Sequence, residues 1–116
     1  MTRAELLELA SELPEISVIT DRDATDIRVA GKTFAAFPFG GGGTVIFKLT
    51  LDQQDMLTAS EPAIFRRLDQ YLGSKGWTKA DLERLDATTA RSVLRLAWTN
   101  AAPKRTAAKY GIGPND

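Results

Sequence analysis

The sequence predicts an α+β domain in which an antiparallel sheet of about four strands has helices packed on one face. Apolar residues alternate with polar ones in residues 25–51 and again from Trp77 to Leu82. This period of two is typical of half-buried strands. In residues 3–13 and 87–102 apolar residues instead recur every three or four positions, which is the spacing of amphipathic helices. Short glycine turns join the first three strands, so those strands are predicted to be antiparallel.

The first half of the chain is predicted to form a helix followed by a three-stranded meander. The helix over residues 3–13 ends before Pro14, because a proline disfavours helical backbone in the residue that precedes it. Residues 15–24 are polar and acidic, and they predict a loop. Gly31 is expected at positive φ between the first two strands. Pro38 marks the end of the second strand, because it cannot donate a ladder hydrogen bond.

The segment after the meander is predicted to be helical at first and then irregular. Asp52 is the predicted N-cap of a helix that runs to about Ala59 and buries Met56 and Leu57. Residues 60–76 have helical spacing but are broken by proline and glycine. They predict a helical turn or two followed by an irregular crossing.

The closing helix has the strongest pattern in the chain. Asp86 is its predicted N-cap, and Pro103 stops it after residues 87–102. Trp98 lies on the apolar stripe of this helix and is therefore predicted to be buried in the core. The glycine-containing end, residues 106–116, is predicted to be a disordered tail, which leaves a single domain over residues 1–105.

The composition narrows the range of functions. The 116 residues include no cysteine and no histidine, which removes disulfides, thiolate zinc sites, cysteine nucleophiles and the usual catalytic base. We therefore expect a protein that is not an enzyme and has no cofactor and no catalytic metal. Acidic residues interrupt the first eight positions, and no apolar run reaches about eighteen residues. These features predict a cytoplasmic protein with no membrane partner.

Charge is distributed unevenly along a chain whose net charge is zero. Residues 1–26 contain seven acids and two bases, a net charge of −5, whereas residues 66–109 contain ten bases and four acids, a net charge of +6. A basic half can present a local positive surface to a polyanion even when the whole chain is neutral. The alternative is that the two halves only compensate each other across the surface.

Strand alternation predicts which side chains face away from the helices. The predicted set on this side of the sheet is Arg28, Ile46, Lys48, Trp77 and Lys79. Cations beside an exposed indole suit single-stranded nucleic acid, since lysine and arginine neutralise phosphates while the ring stacks on a base. The alternative is that Asp26 and Asp81, which share this side, pair with the cations.

A second group of cations lies in the basic half of the chain. Its members are Arg66, Arg67, Arg91, Arg95, Lys104 and Arg105. Of these, Arg66 and Arg67 are further candidate contacts to nucleic acid. The alternative for the group is a solvated helix surface with cations at a helix C-terminus, where the helix dipole favours them.

Several fragments, taken in order, resemble those of the MmcQ/YjbR family. They are the opening helix with its proline, the run from Ile27 to Ala35, Phe65-Arg66, the run from Gly73 to Thr78, Leu82, Ala97-Trp98, and Ala102-Pro103-Lys104. The resemblance extends from about Ala4 to Lys104. It implies a small α+β domain of the double-wing, CyaY-like kind and a DNA-binding role.

These observations lead to one expected function and one alternative. We expect a non-catalytic binding protein with weak affinity for DNA, which contacts nucleic acid through the open side of the sheet and the basic second half of the chain. The alternative is a protein–protein interaction module that uses the same side of the sheet and binds no nucleic acid.

Overall fold

The computed structural model describes residues 1–112 and, for Gln70, the backbone alone. Over this range the chain forms a six-stranded antiparallel sheet with the strand order β1-β2-β3-β4-β6-β5. The strands are β1 (Ile16–Asp21), β2 (Ala24–Val29), β3 (Lys32–Phe37), β4 (Thr44–Lys48), β5 (Phe65–Arg67) and β6 (Trp77–Asp81). The α+β class is confirmed, and the sheet has six strands where the sequence predicted about four.

The helices form one layer against the sheet. They are α1 (Arg3–Ala10), α2 (Leu51–Ser60), α3 (Gln70–Ser74), α4 (Ala87–Ala101) and α5 (Lys104–Lys109), and a 3₁₀ turn covers Leu82–Arg84. Helix α4 packs across β3 and β4, α1 packs on α4, and α2 packs against β5. One side of the sheet is thereby covered, as expected for an antiparallel sheet with one wet face.

Helix α4 supplies much of the core. Asp86 is its N-cap, with the side chain accepting a hydrogen bond from the Thr89 backbone amide at 2.7 Å. Trp98 has an exposed fraction of 0%, and its indole N–H donates to the Pro14 carbonyl oxygen at 3.0 Å. This bond connects the end of α4 to the loop after α1. The predicted cap and the predicted burial of Trp98 are both confirmed.

The two edge strands were not predicted. The prediction of a loop over residues 15–24 is wrong, because Ile16–Asp21 pairs with β2 along its whole length. Val18 and Ile19 are each 47% exposed, so this strand buries little apolar surface of its own. The three-residue strand β5 likewise lies within the segment predicted to cross irregularly. Both strands depend on hydrogen bonds to a neighbour that is already in the sheet, and a local apolar pattern does not report such bonds.

The start and the burial of α2 also differ from the prediction. The N-cap is Thr50, not Asp52, and Thr50 and Gln53 form a capping box in which each side chain accepts from the other residue's backbone amide. Met56 is 55% exposed and Leu57 is only partly buried. The buried residue of this helix is Gln54, which is 1% exposed.

The C-terminal segment is ordered further than predicted. Residues 104–109 form α5, and Ala107 and Ile112 pack against the core. A disordered tail over residues 106–112 is therefore a wrong prediction, because these two apolar side chains have a surface on which to pack. The rest of that prediction, residues 113–116, lies outside the described residues.

Candidate nucleic-acid interface

The side of the sheet away from the helices is named the open face, and strand pairing defines its members. Residues that are paired across neighbouring strands point to the same side of a sheet, and successive residues alternate. Its members from all six strands are Ser17, Ile19, Asp21, Ala24, Asp26, Arg28, Thr33, Ala36, Thr44, Ile46, Lys48, Arg66, Trp77, Lys79 and Asp81. Of the predicted set, Arg28, Ile46, Lys48, Trp77 and Lys79 all lie on this face.

One row of paired residues crosses the whole open face. In strand order it reads Ile19, Asp26, Ala36, Ile46, Lys79 and Arg66. The row passes from an exposed apolar side chain on β1, through an acid and two apolar residues, to two cations on β6 and β5. Positive charge is therefore concentrated at the β5 end of the face.

Arg28 is held by neighbours on its own face. One guanidinium nitrogen lies 3.1 Å from an Asp26 carboxylate oxygen, and Nε donates to the Thr33 hydroxyl at 3.1 Å. The alternative, in which Asp26 pairs with a cation of this face, is thus present for Arg28, although the pair lies along β2 and not across two strands. Because Asp26 already neutralises it, Arg28 is the least available cation of the open face.

Lys79 and Arg66 have no such partner. They are directly paired across β6 and β5, and neither side chain makes an ion pair or hydrogen bond with a residue that the structure describes. Asp81 is engaged elsewhere, with one oxygen 3.6 Å from Arg84 Nε and the other accepting from the Glu83 backbone amide. Like charges directly opposite each other on adjacent strands are destabilising. A bound anion would relieve this repulsion.

A shallow cavity of about 150 Å³ opens beside these two cations. Thr44, Ala63, Ile64 and Asp81 complete its wall. The Thr44 hydroxyl donates to the Gly41 carbonyl oxygen at 2.8 Å, which leaves its lone pairs to accept. The cavity offers two cations and one acid to a ligand, a net positive lining.

Lys48 and Trp77 form the neighbouring pair along β4 and β6. The Trp77 side chain is half-buried, so its indole is partly exposed, and the Lys48 ammonium donates to the Lys75 backbone carbonyl. Gly76 makes this arrangement possible. Its φ of +99° turns the chain into β6, and its carbonyl oxygen accepts from the Leu49 amide at 3.1 Å.

The second predicted group of cations is divided between the two layers of the fold. Arg66 joins the open face, whereas Arg67 is paired with the buried Thr78 and so points to the other side of β5. Lys104 and Arg105 lie on α5, in the helix layer. Arg95, on α4, is half-buried and lines a cavity beside α1.

Arg91 is the most firmly paired member of that group. Its Nε and a terminal nitrogen donate to the two Glu12 carboxylate oxygens at 2.9 and 3.1 Å. These hydrogen bonds hold the pKa of Glu12 below its ordinary value and raise that of Arg91. The pair joins α4 to the end of α1, so its role is structural.

Strand alternation did not predict Ile19 or Thr44 on the open face. Ile19 belongs to a strand that was predicted to be a loop. The β-branched residues of Ile16–Asp21 were the available signal for a strand there. Within residues 1–112, no helix has the length and apolar character needed to cross a membrane, and no group of three or more acidic side chains is placed to hold a metal ion.

Comparison with known proteins identifies the fold and the family. The structure is similar to the crystal structure of protein DR2400 of Deinococcus radiodurans, a DUF419 domain, with a TM-score of 0.75 and 16% sequence identity. The match covers 96% of this chain and 88% of that one, and at this identity it shows the fold alone. Among curated proteins, none matches the sequence. The YjbR family model matches residues 11–100, most of the chain. The chain therefore belongs to the YjbR family.

Proposed function

We propose that this YjbR-family chain is a non-catalytic cytoplasmic binding protein whose open face contacts nucleic acid, with single strands preferred. The observation that carries the proposal is the pair formed by Lys79 and Arg66. These two cations lie directly opposite each other and have no acidic partner among the described residues. Their repulsion destabilises the free protein, and a bound phosphate group would offset it.

The half-buried indole of Trp77 supports a preference for single strands. It lies on the same strand and the same face as Lys79, two residues away. A base can stack on such a ring only when it is not paired within a duplex, whereas phosphates can be contacted in both. Lys48, paired across the sheet from Trp77, adds a third cation to the path.

The expected affinity is low. The chain has no net charge, and Asp21, Asp26 and Asp81 place three acids on the same face. We expect a dissociation constant no better than the non-specific range of about 10⁻⁴–10⁻⁶ M at physiological salt. Binding should weaken steeply as salt rises, because phosphate contacts release counterions.

Fluorescence polarisation with a labelled single-stranded oligonucleotide and its matching duplex, at two salt concentrations, tests the proposal. The Arg66→Glu, Lys79→Glu variant should bind far more weakly than the parent. The matched control is Lys104→Glu, Arg105→Glu, which makes the same change in net charge on the helix layer. Trp77→Ala should weaken binding by about 1–3 kcal/mol, chiefly to the single strand.

Two results would overturn the proposal. The first is no binding by the parent at low salt. The second is an equal loss in the two charge-reversed variants, which would indicate an effect of net charge without a site. Circular dichroism of both variants confirms that any loss of binding occurs in folded protein.

The second candidate function is a protein–protein interaction through the same face. The observation that favours it is the apolar part of the row described above, with Ile46 at its centre and the exposed Ile19 at the β1 end. An apolar contact would be nearly insensitive to salt and would be weakened by Ile19→Lys, whereas phosphate binding would not be lost with that substitution.

A further inference from the structure

A second cavity lies at one end of the sheet, beyond the open face. It has a volume of about 680 Å³ and lies where β3 begins and where β4, α3 and α4 end. We name it the strand-end cavity. This volume is within the range of small-molecule sites, about 300–1,000 Å³.

The lining of the strand-end cavity carries an uncompensated positive charge. Lys32, Lys48 and Lys75 reach it from β3, from β4 and from the turn after α3. Among the described residues that line it, none is acidic. Lys32 makes no side-chain hydrogen bond or ion pair with the described part of the chain, and the Lys75 ammonium lies 5.2 Å from the centre of the Tyr71 ring.

The other wall of the cavity is apolar and firmly held. Leu51 and Ala101 provide its apolar surface, and Leu51 is 51% exposed. Asn100 Nδ2 donates to Gln53 Oε1 at 2.7 Å, and the same oxygen accepts from the Thr50 amide at 2.9 Å. These bonds join the start of α2 to the end of α4, so the wall is formed before any ligand binds.

We propose that the strand-end cavity binds a small phosphorylated molecule with an apolar body. The phosphate would lie among the three lysines and the apolar body against Leu51 and Ala101. A phosphate monoester carries a charge of about −1.5 to −2 at pH 7. Three cations with no acid beside them attract such a dianion more strongly than they attract a ligand with one carboxylate. The Ser74 hydroxyl, also in the lining, donates its proton to the Tyr71 carbonyl oxygen at 2.7 Å, so the lysine ammonium groups supply the donors to the phosphate.

This proposal goes beyond the nucleic-acid proposal. The ligand is a small molecule, and neither Lys32 nor Lys75 belongs to the open face. Only Lys48 and Thr33 border both sites. Variants that leave these two residues unchanged can therefore test the cavity independently of the open face.

Titration of the ¹⁵N-labelled protein with phenyl phosphate, followed by amide chemical shifts, tests the proposal. This probe combines a phosphate monoester with an apolar ring, and phenol and inorganic phosphate are its two halves. Phenyl phosphate should give saturable shifts at Lys32, Leu49, Lys75 and Ala101. Each half alone should bind at least about tenfold more weakly, because it makes only one of the two contacts.

Removing two of the lysines sharpens the test. Lys32→Gln, Lys75→Gln should weaken phenyl phosphate binding by about tenfold or more, since each lost charge-assisted hydrogen bond has an effect of that order. The control Lys104→Gln, Arg105→Gln should bind as the parent does. Equal binding by parent and lysine variant would overturn the proposal, as would shifts that map elsewhere or phenol binding as tightly as phenyl phosphate.

The two proposals fail in distinguishable ways. The Lys32→Gln, Lys75→Gln variant should retain oligonucleotide binding while losing phenyl phosphate. If the parent binds phenyl phosphate in the cavity but no oligonucleotide, only the nucleic-acid function is refuted.

Discussion

Replacing Trp98 should reveal how far the core depends on one side chain. Its indole is completely buried, and the ring N–H donates to the Pro14 carbonyl oxygen at 3.0 Å. Trp98→Ala removes a large buried ring and leaves a cavity, which costs about 3–5 kcal/mol. The free energy of unfolding of a native protein is about 5–15 kcal/mol, so this single change should remove a large part of the total stability.

Trp98→Phe separates the hydrogen bond from the packing. The phenyl ring fills much of the site but leaves the Pro14 carbonyl without its donor. We expect a loss of about 1–3 kcal/mol from that partly buried group, with a smaller packing loss in addition. Trp77→Ala is the control. Its side chain is half-buried on the open face, so its cost should be about 1 kcal/mol or less.

The assay is equilibrium urea unfolding followed by far-ultraviolet circular dichroism, because the substitutions remove the fluorescent indoles. Equal denaturant slopes for parent and variants would show that the changes concern stability alone. A loss of stability for Trp77→Ala as large as that for Trp98→Ala would contradict the assigned burial of the two indoles. No loss for Trp98→Phe would show that the hydrogen bond to Pro14 has no net effect on stability.

Three further predictions concern a glycine, a buried amide and an ion pair. A Cβ at Gly76 would lie 1.9 Å from the Leu49 carbonyl oxygen, and φ is +99°, so Gly76→Ala should cost about 2–5 kcal/mol by urea unfolding. Gly42→Ala, also at positive φ (+60°) but with nothing within 4 Å of the added carbon, should cost clearly less. The Gln54 side-chain nitrogen donates to two backbone carbonyls at 3.0 and 3.1 Å, and Gln54→Leu should cost about 1–3 kcal/mol in the same assay, because both carbonyls lose a donor. Folding lowers the pKa of Glu12 below its ordinary value of 4.5, chiefly through the hydrogen bond from Arg91. The ionised carboxylate therefore stabilises the fold above pH 4.5, and this contribution is lost as the pH falls through the pKa of the folded state. The stability difference between parent and Glu12→Gln, measured by thermal unfolding, should therefore shrink between pH 6 and pH 3, and a constant difference would contradict the assignment.

The sequence alone was sufficient to predict the helices and strands whose signal lies within their own residues. Helix α4 could be predicted with its cap at Asp86 and its buried Trp98, because the cap residue and the apolar stripe lie within the helix itself. The meander was equally predictable, since period-two alternation and glycine turns are properties of neighbouring residues. The same alternation correctly assigned Arg28, Lys48, Trp77 and Lys79 to one face.

Residues 16–21 show one limit of prediction from local sequence. Their side chains are mostly exposed, so burial leaves no apolar pattern in the sequence. These residues are a strand because β2 offers a free row of hydrogen-bonding groups. The start of α2 shows a different limit. Thr50 and Asp52 are both good cap residues, and only the reciprocal bonds with Gln53 select the first.

The availability of each cation was decided by tertiary structure alone. Arg28 and Arg91 are both arginines in a plausible pattern, yet the fold neutralises them with Asp26 and Glu12. Glu12 is distant from Arg91 in the chain. Lys79 has no acid directly opposite it, because the residue paired with it on β5 is a second cation, Arg66. Strand β5 was not predicted from the sequence. The strand-end cavity has the same origin, since its three lysines lie far apart in sequence and meet only where the ends of several elements converge. Charge and periodicity are properties of the sequence, but which charges face one another depends on contacts between distant segments.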